Sequence, residues 1–141
     1  MAWIGCTAAG ALLAVALLHV YWAAGGRALA AGAVPTRHGT PLFRPGRAAT
    51  LAVAAVLLGA ALVAMNGAGV NWPPLSHSWV RPAAAVYGAV FLLRAVGDFR
   101  YVGFSKRHRE SAFARLDTRV YSPFALAIAV VFIVQALVTS A

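Results

Sequence analysis

Apolar residues run along this chain in four long blocks, with polar and charged residues collected between them. The blocks cover about 3–24, 48–65, 80–96 and 121–138. Neither a period-2 alternation nor a narrow 3.6-period stripe is visible inside them. Each holds roughly 17 to 22 residues, which at about 1.5 Å per residue matches the thickness of a bilayer core. The pattern predicts four membrane-spanning helices in a single four-span unit over 1–141. Arg81-Pro82 opens the third block, where a proline suits the first turn of a helix. Ser122-Pro123 reads as an N-cap with a first-turn proline, so span four is expected to start near 121.

Composition sharpens the class. Of 141 residues 62% are hydrophobic and only 11% charged, with Lys+Arg 12 against Asp+Glu 3 and a net charge of +9. A soluble domain carries about a quarter charged residues. The expected fold is therefore all-α, an integral membrane four-helix bundle. One cysteine, Cys6, leaves no disulfide, thiol pair or thiolate metal cluster to form, and paired-thiol electron carriers are excluded. The first block reads as a span rather than a signal sequence, because Met1 to Gly5 carries no basic side chain.

Charge placement gives an orientation. Arg27, Arg37, Arg44 and Arg47 lie between blocks one and two. Arg100, Lys106, Arg107, Arg109, Arg115 and Arg119 lie between blocks three and four. The connection between blocks two and three has only Arg81. The positive-inside rule then expects both basic loops in the cytoplasm, both termini outside, and residence in the bacterial inner (plasma) membrane. Small residues four apart (Gly10 and Ala14, Ala55 and Gly59, Ala84 and Gly88, Ala85 and Ala89) would let helices approach closely.

Polar groups near span ends form the short list for chemistry. His19, Tyr21 and Trp22 close span one. Arg94, Asp98, Arg100 and Tyr101 close span three, and Asp117, Arg119, Tyr121 and Ser122 open span four. All fall at one depth. Arg94 and Asp98 are spaced to pair along a helix, with Asp98 or Asp117 on a neighbouring helix as rival partners. One reading is an ion-pair lattice fixing the helix ends. The other is a pocket for an anionic head group, with Arg94, Arg100 and His19 as donors. No catalytic residue is assigned. Haem and zinc are not expected, because His38, His77 and His108 lie outside the spans and show no ligand spacing.

The run from Phe104 to Val120 places Phe113, Leu116 and Val120 at helical spacing. It predicts a short helix lying on the cytoplasmic leaflet, where its basic residues meet anionic lipid. The first connection, 25–46, is rich in glycine and proline and predicts defined turns. Trp72 and Trp79 in the outer connection suit an interface anchor. Membrane lipids, anionic head groups, another membrane protein or a second copy are the expected partners; nucleic acid is not.

Certain stretches are specific: His19-Val20-Tyr21-Trp22, Pro41 to Gly46, the run Leu93-Arg94-Ala95-Val96-Gly97-Asp98-Phe99-Arg100-Tyr101 within Phe91 to Phe104, and Phe113 to Pro123. They resemble a bacterial family of small four-span membrane proteins known as domain of unknown function 3995. The resemblance covers essentially the whole chain. It implies the four-span topology and supplies no activity. An accessory or scaffold role through helix contacts is the leading expectation. Anionic-lipid binding or transport is the alternative, and a membrane enzyme acting on a lipid or isoprenoid is the weaker one.

Overall fold

A computed structural model describes residues 2–70 and 75–138, the side chain of His77 excepted. Asn71, Trp72, Pro73 and Pro74, and with them the anchor expected at Trp72, lie outside the described residues. Helix α1 is Ala2–Ala23, α2 is Arg47–Gly67 and α3 is His77–Val96. Helix α4, Ala112–Leu116, passes through a π turn at Asp117–Tyr121 into α5, Ser122–Val138. Among the described residues, four helices are long and apolar enough to cross a membrane, the fourth being the 27-residue rod Ala112–Val138. In hydrocarbon every backbone donor must find a partner within its own segment, which is why such apolar runs become helices.

The bundle forms from two antiparallel pairs, α1 on α2 and α3 on α5, which meet chiefly through α2 and α3. Its core is built from small residues: Ala16, Ala60, Ala64, Ala84 and Ala129 are fully buried, with Leu12 and Phe132 filling the space they leave. Gly88 lies against Phe132 and Ile133, so the Ala84/Gly88 pair is used up in the α3–α5 seam. Tyr87 and Phe91 stack on Phe132 there. Close approach of this kind supplies the van der Waals contact on which association in lipid rests.

Two helix starts differ from the sequence expectation. Pro82 lies inside α3 rather than in its first turn, because the helix begins at His77. The N–H it lacks would have served the Ser78 carbonyl, which sits in the exposed opening turn. The fourth rod begins at Ala112, not near 121, so the helical residues of the expected surface helix are the first turns of that rod. Ser111 is the true N-cap, its hydroxyl accepting from Ala114 N–H. Pro123 therefore falls within a helix, where its ring crowds the carbonyl four residues back. The π turn just before it opens the spiral, with Ser122 N–H reaching back five residues to the Asp117 carbonyl.

The first connection is indeed made of turns: a single 3-10 turn at Ala30–Gly32, then a two-strand hairpin of β1 (Thr36–Arg37) and β2 (Thr40–Pro41). Tyr121 Oη donates to the Gly32 carbonyl at 3.1 Å, and Leu116 packs over Gly32. That contact places both basic connections at one end of the bundle.

Candidate functional site

The site at the basic end starts from the way α3 stops. Gly97 has φ +94°, and its N–H closes on the Leu93 carbonyl. The chain then turns through Asp98–Gly103 and folds back, so that Phe104 N–H donates to Ala95 O at 2.8 Å and Ser105 N–H to Val96 O at 3.1 Å. Carbonyls that a helix end leaves open are thereby satisfied. A Cβ on Gly97 would overlap the Val102 carbonyl, and one on Gly103 would overlap Gly97 itself. Glycine is required at both places.

Asp98 organises this loop from within. Its Oδ1 accepts from the N–H groups of Arg100 (2.8 Å), Tyr101 (2.6 Å) and Val102 (2.8 Å). Partial burial raises the Asp98 carboxyl. The N–H groups of Val102, Arg100 and Tyr101 together outweigh that and hold it below the ordinary carboxylate value. Asp98 therefore does not pair with Arg94.

Arg94 pairs instead with Asp117, Nη2 to Oδ1 at 2.7 Å. The π turn carries Asp117 into the bundle, where it is 0% exposed. Its other oxygen, Oδ2, accepts from Gly103 N–H (2.8 Å), Lys106 Nζ (2.9 Å) and Ser122 Oγ (3.2 Å). Lys106, 1% exposed, also donates to the Gly103 carbonyl at 2.7 Å. Two cations and one carboxylate thus share a site from which water is largely excluded. Burial of such charges is tolerated only when each is paired and hydrogen-bonded, and Asp117 and Lys106 meet that condition. The Arg94 side chain stays 35% exposed, yet its Nη1 is enclosed and has no hydrogen-bond partner among the described residues.

The remaining candidates form two further groups. His19 Nδ1 donates to Val15 O at 2.8 Å and its ring stands edge-on to Trp22, whose Nε1 donates to Ala28 O at 2.7 Å. With the exposed Tyr21, they shape the exit from α1. Tyr101 stacks on His108 at 4.8 Å with the Arg100 guanidinium over its ring. Arg119 is exposed, and Tyr121 ties the first connection to the rod. Among the described residues no hydrogen bond or ring contact joins His19, Tyr21 or Trp22 to Arg94, Asp98 or Asp117.

Lys106 and Ser122 complete the site; the sequence places Ser122 at the head of span four and Lys106 only among the basic residues of a surface helix. A signal existed for the lysine. Lys106 is the single lysine beside eleven arginines, and its ammonium is a compact point charge.

The profile of the family described as "Protein of unknown function (DUF3995)" matches residues 12–132. The chain belongs to this family. No curated protein and no solved structure matches it. In this DUF3995 chain the matched stretch contains the whole of the Arg94–Lys106–Asp117 cluster, two of the four membrane-length helices entire and the greater part of the fourth.

Proposed function

We propose that this DUF3995 protein is an accessory protein of the bacterial inner membrane, acting through its helices on another membrane protein or a second copy. The observation that carries this reading is the outward placement of two small-residue pairs. Gly10 and Ala14 on α1, and Ala85 and Ala89 on α3, are all exposed, and a Cβ on Gly10 would meet nothing within 4 Å. Small residues on a lipid-facing surface let a further helix approach. The buried carboxylate supports the same reading from the other side: Asp117 is saturated with donors and held as a brace, not free for acid–base work. Basic side chains gathered at one end, against Arg81 at the other, favour cytoplasmic loops and outward termini.

The test is cross-linking in native membranes, in a Cys6→Ser background, with cysteine placed at Gly10 or Ala85. A discrete larger species is expected, lost on adding Ala14→Leu to the Gly10 cysteine or Ala89→Leu to the Ala85 cysteine. A chain that stays monomeric under all these conditions contradicts the reading.

The unmatched Nη1 of Arg94 favours a second reading, in which an anionic lipid head group docks there. Its signature is a phospholipid adduct in native mass spectra that Arg94→Leu abolishes and Arg119→Leu leaves intact.

A further inference from the structure

The end of the bundle opposite the charged cluster buries a different polar group. Gln135 of α5 is 5% exposed, and its Nε2 donates to the Ala64 carbonyl of α2 at 2.9 Å. Its Oε1 is enclosed and accepts no hydrogen bond among the described residues. Two glycines clear the space around this amide. A Cβ on Gly67 would stand 2.7 Å from Gln135 Cδ and 2.9 Å from Oε1, and one on Gly5 would stand 3.0 Å from Nε2. The amide is thus held over Gly67, and Gly5, Gly67 and Gln135 all line a cleft of about 110 Å³. A water molecule's share of liquid volume is about 30 Å³, so the cleft exceeds a single-water site.

The cleft has a neighbour. Helices α1 and α5 scarcely touch, and the seam between them is a groove of about 410 Å³ reaching Phe124. Ile4 and Val131 line both spaces, so the groove adjoins the cleft. From Gln135 to Phe124 the path along both is about 16 Å at 1.5 Å per residue. The one hydroxyl along the path, Thr7, already donates to Trp3 O. Beside Gln135 the lining is aliphatic, with Val130, Val134 and Val138 and no charged side chain among the described residues.

These features define an occupant. An unmet carbonyl oxygen calls for a hydrogen-bond donor, since hydrocarbon offers none. A charged head would find no counter-charge in this lining. A long apolar groove takes a chain. We propose that the α1–α5 groove holds one lipid whose uncharged hydroxyl head donates to Gln135 Oε1 and whose apolar chain lies along the groove toward Phe124. This goes beyond the accessory role, and it uses neither the small-residue pairs nor the charged cluster.

The experiment is native mass spectrometry of the full chain in phosphatidylcholine nanodiscs doped with monoolein or with methyl oleate, which lacks the donor. One monoolein per chain is expected, with methyl oleate bound about five-fold more weakly, the ratio one net hydrogen bond gives. Gln135→Leu should erase that preference while leaving thermal stability close to wild type. Ala11→Phe, which fills the groove from its outer wall, should remove both adducts. Equal binding of the two probes, or an unchanged preference in Gln135→Leu, overturns the proposal. So does a wild-type chain carrying no lipid, or one whose groove is covered by a second copy.

Discussion

The two ends of this bundle bury polar groups by opposite means. At the basic end Arg94, Lys106 and Asp117 are full charges, and the carboxylate is saturated by four donors from α3, the loop after it and the fourth rod. At the other end Gln135 is neutral, bridges to α2 with one bond, and keeps one acceptor unmet. A charge in a low-dielectric site demands complete pairing, so the first arrangement leaves Asp117 no free capacity for a ligand. A neutral amide can be left half satisfied at modest cost, and the second arrangement is where an outside donor fits. At the charged end both oxygens of Asp117 are taken and the enclosed atom left without a partner among the described residues is Arg94 Nη1; at the neutral end it is Gln135 Oε1.

The largest effect that would break this contrast is loss of the shared carboxylate. Asp117→Leu leaves Lys106 buried without a counter-charge and should cost on the order of 3–5 kcal/mol, read as a collapse of the thermal or dodecyl-sulfate unfolding midpoint. A variant as stable as wild type would mean the cluster is not a brace. Gly103→Ala comes next. It forces a side chain onto φ +83° and against Gly97, and should cost about 1–3 kcal/mol while loosening the loop that aims Gly103 N–H at Asp117. Gln135→Leu sharpens the other half of the comparison: the bond to Ala64 is worth about 0.6 kcal/mol by the bacteriorhodopsin average, so the midpoint should barely move.

The smallest effect is the pH dependence at Asp98. Its folded value is depressed, so its contribution is fully present above the unfolded value of about 3.9 and is lost as pH falls through the lower folded one. The gap in stability between wild type and Asp98→Asn should therefore be open at pH 6 and shrink below about pH 4. A gap that widens on acidification would reverse the assignment.

Much of the architecture was legible because the bilayer writes its thickness into sequence. Each of the four apolar blocks falls largely within one of the four long helices, the fourth helix starting nine residues earlier than its block, and the charge-bearing connections fall at one end. Local signals misled at two places. Ser122-Pro123 resembles a helix start, yet a proline also sits inside a helix when a π turn before it opens the spiral, and no single-residue preference records that. The four-residue spacing of Arg94 and Asp98 suggests a pair only if the helix continues, and Gly97 at φ +94° ends it between them. Asp98 thereby falls off the helical face and caps the loop, freeing Arg94 for Asp117. Lys106 lies in a run of basic residues that reads as a solvated surface, and only its partner, eleven positions along the chain, draws it inward. Gln135, lone in an apolar block, gave no hint of which helix it would meet.

The central claim, that the charged cluster is structural, is tested most directly by a double-mutant cycle on Asp117 and Lys106. Unfolding midpoints of Asp117→Leu, Lys106→Met and the double variant are compared in one detergent. The brace predicts that the double variant recovers most of the stability lost in Asp117→Leu, because the buried ammonium is gone along with its partner. Additive losses in the double variant would contradict it.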